Sequence, residues 1–143
     1  MDATETRFPN VDLDLYSSRD LQSLIAALGK KVIVLHYGRP EKTYEAHFEL
    51  PIPRSTADVI IRKFCALIER LPKAERDVWN TAKVRDFNIG IEAGTKPLSC
   101  EFPIAAKTIQ AVAAVGARVV VTVYAPPLPV STKARKRSSA SSH

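Results

Sequence analysis

Two stretches of this chain share one pattern, an apolar helix that ends at a glycine and continues into an apolar strand. They run from Arg19 to Arg39 and from Ala105 to Pro126. When Gly29 is aligned with Gly116, residues of similar type coincide on both sides, namely Ala26 with Ala113, Ala27 with Ala114, Val32 with Val119, Val34 with Val121 and Tyr37 with Tyr124. Since a strand-helix-strand crossover places its two strands parallel in one sheet, this duplication predicts two related β-α-β units.

Alternation of apolar and polar residues predicts the other strands. Val11–Tyr16 and Thr43–Leu50 alternate as half-buried strands do. We expect Thr43–Leu50 to form a hairpin with Lys31–Tyr37, and Val84–Glu92 to form a second hairpin with Leu98–Pro103. With the two β-α-β units, this predicts an α+β fold whose mixed six-stranded sheet carries its helices mainly on one face.

The clearest helix is predicted over Ser55–Leu71, where apolar residues recur at helical spacing. Its first residue and Asp58 form a start like a capping box, and Asp58 can pair with Arg62 one turn later. A shorter helix that carries Trp79 is expected to follow over Lys73–Ala82.

The chain of 143 residues has the length of one ordinary domain. We predict a flexible N-terminus over residues 1–10, a single domain over residues 11–126 and a disordered basic tail over residues 127–143. The net charge is +6, but every acidic residue precedes Pro126, so much of the excess belongs to the tail. No apolar run approaches the ~20 residues that span a bilayer, and the polar start does not resemble a signal peptide. These features predict a cytoplasmic protein without a membrane partner.

Two predicted strands, Val32–Leu35 and Val119–Val123, are apolar on both sides of the pleat. That pattern is typical of strands that are covered on both faces. The predicted helices suffice for one face. The other face then needs cover from the segment around Trp79, from the N-terminal arm or from another protein, which includes a second copy of this chain.

Catalytic motifs are missing from the sequence. The string FNIGIEAG, from Phe87 to Gly94, is not followed by the helix start that a phosphate loop needs, and no serine lies in a nucleophile-elbow string. Cys65 and Cys100 fit buried thiols in a reducing compartment. We therefore predict no catalytic residue and no cofactor, and we favour a protein that is not an enzyme.

Polar groups gather on predicted strand faces. His36 and His47 lie on the two strands of one hairpin and can approach each other, but a metal site needs three or four ligands, so no metal is predicted. Asp12 and Asp14 share one face, where they would either act as an acid–base pair or form a solvated surface. The predicted contacts for a protein partner are the exposed acids of the strands: Asp12, Asp14, Glu45, Glu49, Asp86 and Glu92.

The tail offers a second candidate surface, made of Lys133, Arg135, Lys136 and Arg137. A cluster of basic residues can bind nucleic acid through its phosphates. No aromatic residue lies among them to stack on bases, so a solubilising tail is the competing interpretation.

Three strings of this chain, VDLDLYS, FNIGIEAG and RVVVTVYAP, resemble a family of short bacterial proteins of unknown function. The resemblance covers about Val11 to Pro126 and concerns structural motifs, so it assigns no catalytic residue. Proteins of this kind are often encoded beside bacterial toxins, and the resemblance therefore implies an immunity protein that binds and blocks a toxin. The basic tail departs from the family pattern.

These observations give three hypotheses of function. The first is a protein-binding module, an immunity protein whose acidic strand face blocks a basic toxin, or a homodimer. The second is an enzyme or small-ligand binder with its site at the junction of the two β-α-β units. The third is a nucleic-acid-associated protein that uses its tail.

Overall fold

Alternating strands build the centre of the structure, a computed structural model that describes residues 5–126. The strands are β1 (Arg7–Ser17), β2 (Ile33–Gly38), β3 (Tyr44–Glu49), β4 (Val84–Glu92) and β5 (Arg118–Tyr124). The α-helices are α1 (Gln22–Leu28), α2 (Ala57–Glu69), α3 (Lys73–Thr81) and α4 (Ala106–Ala114). The basic tail lies outside the described residues.

The five strands form one sheet with the order β2-β3-β1-β4-β5. The central strand β1 pairs antiparallel with β3 and with β4, and β2 forms the predicted hairpin with β3. Across α4, β4 and β5 pair in parallel. The α+β class and the mixed sheet are therefore confirmed. The two β-α-β units differ in detail, because β3 lies between the parallel strands β1 and β2, whereas β4 and β5 are direct neighbours.

One hydrophobic core lies between the sheet and the helices. Val11, Leu13 and Leu15 point into it from β1 and are at most 1% exposed, since alternate residues of a strand face the same side. Six buried residues of α2 pack into this core: Ala57, Ile60, Ile61, Phe64, Cys65 and Ile68. The helices thus cover one face of the sheet, as predicted.

Two glycines end the helices that the repeated pattern predicted. Gly29 follows α1 with a φ of 55°, and Gly116 follows α4 with a φ of 70°. Backbone with positive φ is costly for residues that carry a Cβ atom, so glycine suits both positions. The helix–glycine–strand pattern is confirmed at both places.

The sixth predicted strand, Leu98–Pro103, does not form a strand, and Cys100 is exposed rather than buried. The physical reason is that β4 already has β1 on one side and β5 on the other, so no edge of β4 remains for a hairpin partner. The segment instead lies beside the start of β1, where the rings of Phe8 and Phe102 are 5.9 Å apart.

The N-terminal boundary also differs from the prediction. β1 begins at Arg7 rather than at Val11, because Arg7 and Asn10 pair with Glu92 and Gly90 of β4. A register shift between Arg7 and Asn10 interrupts the alternation of β1, which hides this part of the strand from the sequence pattern.

The helix α2 has a different cap from the one predicted. Thr56, not Ser55, is the N-cap residue, and its side chain accepts a hydrogen bond from the Val59 N–H at 3.2 Å. Asp58 pairs with Arg62 at 2.9 Å as expected, but it also accepts the Ala105 N–H at 2.8 Å. Asp58 therefore ties the start of α2 to the start of α4.

The Trp79 segment does not cover the second face of the sheet. Trp79 lies on α3, is fully buried in the core, and donates a hydrogen bond of 2.7 Å from Nε1 to the Val115 carbonyl at the end of α4. Its helix therefore belongs to the same layer as the others. Among residues 5–126, none of the helices has the length and apolar character that crossing a bilayer requires.

Candidate functional site

The side of the sheet that faces away from the helices, called the open face below, carries all six predicted contact acids. Because Leu13 and Leu15 of β1 point into the core, Asp12 and Asp14 point the other way. The register then places His47 of β3 and Asp86 of β4 beside Asp14. By the same alternation, Glu45 and Glu49 of β3 and Glu92 of β4 share this face.

His47 forms the centre of one acidic group on the open face. Its Nδ1 lies 2.7 Å from Asp14 Oδ1 and its Nε2 lies 2.7 Å from Glu45 Oε1. When both ring nitrogens donate to carboxylates, the imidazole is protonated. Burial lowers the pKa of His47, but the hydrogen bonds to Asp14 and Glu45 outweigh burial, so the pKa lies above its ordinary value.

Asp12 belongs to a second acidic group with a different electrostatic character. Burial raises its pKa to about 6, and the nearby charges of Asp14 and Glu49 add to the rise. Asn10 Nδ2 donates to Glu49 Oε2 at 2.8 Å. Around pH 7, Asp12 therefore holds negative charge in a setting that disfavours it, and a cation placed between Asp12 and Glu49 would be stabilised.

A depression of about 260 Å³ opens beside this second group. Its walls are Asn10, Asp12, Leu35, Glu49, Asn88, Gly90 and Tyr124. The floor lies where β1 and β4 pair, which is the junction of the two β-α-β units. The structure thus places Asp12, but not His47, in the lining of a concavity. His47 is instead held between two carboxylates by hydrogen bonds.

Two arginines neutralise part of the acidic surface. Arg118 of β5 donates two hydrogen bonds of 2.8 Å to the two carboxylate oxygens of Asp86. Arg7 forms an ion pair with Glu92 at the far end of β4. The acids without an arginine partner in these pairs are concentrated on β1 and β3, so the negative charge of the open face is strongest there.

The exposed apolar side chains of the sheet belong to its two edge strands. On β2, Ile33 and Leu35 are 41% and 47% exposed, and on β5, Val121 and Val123 are 54% and 59% exposed. The two stretches that are apolar on both sides are therefore edges, not strands covered on both faces. Leu35 and Tyr124 contribute apolar surface to the lining of the depression on the open face.

A larger concavity of about 540 Å³ lies elsewhere, at the start of α2. Phe8, Phe102 and Ile104 give it a largely apolar wall. The Asp58 carboxylate at its rim is already engaged by Arg62 and by the Ala105 N–H. This concavity holds none of the predicted contact residues.

Metal and thiol chemistry find little support in residues 5–126. Within that range, no group of three or more His, Cys, Asp and Glu side chains is arranged to hold a metal ion. The rings of His36 and His47 do approach each other, with centroids 5.9 Å apart. Cys65 is buried in α2, and burial raises the pKa of its thiol to about 11, which makes it a poor nucleophile.

Several polar residues of the open face were missed by the sequence analysis. Asn88 is the clearest case, because its Nδ2 lies 3.4 Å from Asp14 Oδ2 and its Oδ1 accepts a hydrogen bond from Thr122 at 2.8 Å. Asn10, Arg118 and Tyr124 also contribute. Alternation along β4 and β5 would have placed Asn88 and Thr122 on this face, but only the strand order brings them together. The four basic residues of the tail lie outside the described residues.

Comparison of the chain with protein-family models, with curated proteins and with solved structures gives no match. The resemblance to short bacterial proteins found beside toxins therefore stays a prediction.

Proposed function

We propose that this protein is a cytoplasmic protein-binding module whose open face binds a basic surface of a partner protein. The observation that carries the proposal is the convergence of four carboxylates that are not part of the Arg7 and Arg118 pairs, those of Asp12, Asp14, Glu45 and Glu49, on a sheet face that the helices leave uncovered. Asp86, predicted as an exposed contact, is instead buried and paired with Arg118. Complementary charge across an interface speeds association and selects the partner.

Two features of the open face suit a basic partner. The carboxylates of Asp14 and Glu45 are held in place by His47, so little side-chain entropy is lost on binding. Asp12 and Glu49 repel each other while the face is free. An arginine or lysine of the partner would relieve that repulsion and lower the pKa of Asp12.

The partner class that fits best is a toxin whose active site is basic because it binds nucleic acid. Nuclease sites need positive charge to hold phosphates, and an acidic surface can occlude them. The resemblance to proteins encoded beside toxins points to the same class. The proposed mechanism is steric: the open face covers the basic site, and no chemical step is required.

The test pairs two double variants of the full chain that change the net charge equally. Asp12→Asn with Glu49→Gln alters the open face, and Glu69→Gln with Asp77→Asn alters exposed positions of the helical layer. The probe is a basic toxin domain encoded by a neighbouring gene, with binding measured by calorimetry at two salt concentrations. We expect the open-face variant to weaken binding by about 10- to 100-fold and the control by less than about 2-fold. Equal losses, or no binding by the unaltered protein, would refute the proposal.

A second candidate function rests on the depression beside Asp12. A carboxyl group whose burial raises its pKa to about 6 can act as a general acid or base near neutral pH. A small polar ligand that binds at the junction of β1 and β4 would shift the NMR signals of Asn88 and Tyr124. Screening a library of small cationic and polar compounds against these two signals tests this candidate independently of any protein partner.

A further inference from the structure

The open face and the chain's own tail carry opposite charges. The described part of the chain ends just after β5, whose last residue, Tyr124, lines the depression next to Asp12 and Glu49. The segment that follows, residues 127–143, contains Lys133, Arg135, Lys136 and Arg137 and no acidic residue. The basic segment is thus attached at the border of the acidic surface.

The connecting chain is long enough to bring the two together. From β5 to β3 the open face spans three strand spacings, which is about 14 Å. Seven residues lead from Pro126 to Lys133, and an extended proline-rich chain rises ~3.1 Å per residue, which gives a reach of about 22 Å. Asp12 and Glu49 lie only four residues, about 13 Å, along the strands from the level of Tyr124, so the first basic residue can lie over these two acids.

The tail carries its apolar residues ahead of its basic ones. Leu128 and Val130 come first and the basic residues follow. On the face, Tyr124 of β5 lines the depression together with Asp12 of β1 and Glu49 of β3, and Leu35 lines it from the opposite edge strand, β2. A chain that leaves β5 and crosses the sheet would meet apolar contacts and negative charge together within its reach.

We infer that the C-terminal segment, residues 127–143, docks on the open face of its own chain and occupies the surface that binds the basic partner. The segment then acts as an internal competitor, so a partner must displace it before binding. The docking itself needs no partner, whereas the competition rests on the proposed function. The segment is tethered, so its effective concentration at the face is high even if each contact is weak.

Docking is tested in the full chain by paramagnetic relaxation enhancement, in which a nitroxide broadens the NMR signals of nearby backbone amides. A nitroxide is attached at Ala140→Cys in a Cys100→Ser background, because Cys100 is the exposed native thiol. At low salt we expect the amides of Asp12 and Asn88 to broaden more strongly than the amides of α2 and α3. At 1 M NaCl the Debye length falls to about 3 Å, and the broadening should disappear.

Matched tail variants separate charge from chain length. Replacing the four basic residues with serine should abolish the broadening, whereas replacing Ser138, Ser139, Ser141 and Ser142 with alanine should leave it unchanged. Broadening that is absent at low salt, or that appears equally on the helical layer, would overturn the inference. So would broadening seen only when labelled and unlabelled chains are mixed, because the segment would then bind a second copy.

The competition step has a separate readout. With the basic toxin domain as the probe, the variant that lacks the four basic residues should bind about 3- to 10-fold more tightly than the unaltered chain. If broadening is observed but the probe does not bind, docking stands and the proposed function fails. If the probe binds through Asp12 and Glu49 but the broadening is absent, the proposed function stands and this inference fails.

Discussion

The guanidinium of Arg118 on β5 donates two hydrogen bonds of 2.8 Å to the carboxylate of Asp86 on β4. Asp86 is only 8% exposed, so this pair supplies hydrogen bonds to a carboxylate that has little contact with water. The pair links the parallel edge strand β5 to the rest of the sheet at the residue where β5 begins. Removing such a partner from a buried carboxylate lowers the stability of the fold far more than removing it from an exposed carboxylate.

Arg118→Met should therefore destabilise the fold more than Arg7→Met, its matched control. Both variants remove an arginine from an ion pair, but the partner of Arg7 is Glu92, whose side chain is 42% exposed. Urea unfolding followed by circular dichroism should show a midpoint shift for Arg118→Met about twice that of Arg7→Met or more. Equal shifts would mean that water replaces the guanidinium at Asp86.

The sequence allowed the two sides of the sheet to be predicted with some precision. Alternation along β1 and β3 separates Leu13 and Phe48, which are buried, from Asp14 and His47, which lie on the open face. This works because the side-chain period of a strand is two, whatever its neighbours are. For the same reason, Asp12 and Asp14 could be assigned to one side of their strand, and Glu45 and Glu49 to the side of theirs that carries His47.

The strand order could not be predicted in the same way. Val119 and Val121 suggest a strand covered on both faces, yet β5 is an edge whose valines remain exposed. Apolar character alone cannot separate a central strand from an edge strand that awaits a partner. The hydrogen bond from His47 to Asp14 depends on the register of β3 against β1, which the alternation within each strand does not fix.

Trp79→Phe should lower the free energy of unfolding by about 2–3 kcal/mol. The substitution removes a buried hydrogen bond to the Val115 carbonyl and leaves a void where the larger ring was. Trp79 is the single tryptophan, so the variant loses the tryptophan fluorescence that would report unfolding. Urea unfolding is therefore followed by circular dichroism. Ile109→Ala, at a position that is 56% exposed on α4, is the control and should change stability by less than about 0.5 kcal/mol.

His47 should make stability depend on pH in the neutral range. Its pKa is raised in the folded state, because hydrogen bonds to Asp14 and Glu45 outweigh the effect of burial. A raised pKa stabilises the fold fully below the unfolded value of 6.5, and this stabilisation is lost as pH rises through the folded value. The free energy of unfolding, measured at a series of pH values from 5.5 upward, should therefore decrease less steeply with pH for His47→Gln than for the unaltered protein. His36→Gln, on the neighbouring strand, is the control; if it flattens the curve equally, the assignment to His47 is wrong.

Asp12→Asn should stabilise the protein at pH 7, whereas removing a carboxylate that has a partner usually destabilises a fold. Burial raises the pKa of Asp12 from 3.8 to about 6, so the group favours folding only when protonated and destabilises the fold as pH rises between these values. After discounting for partial exposure to water, we expect a gain of about 1 kcal/mol at pH 7 that vanishes near pH 4. Asp14→Asn is the contrasting variant and should destabilise, because Asp14 accepts a hydrogen bond from His47. If Asp12→Asn lowers the urea midpoint at pH 7, the destabilising charge assigned to the half-buried Asp12 is not present.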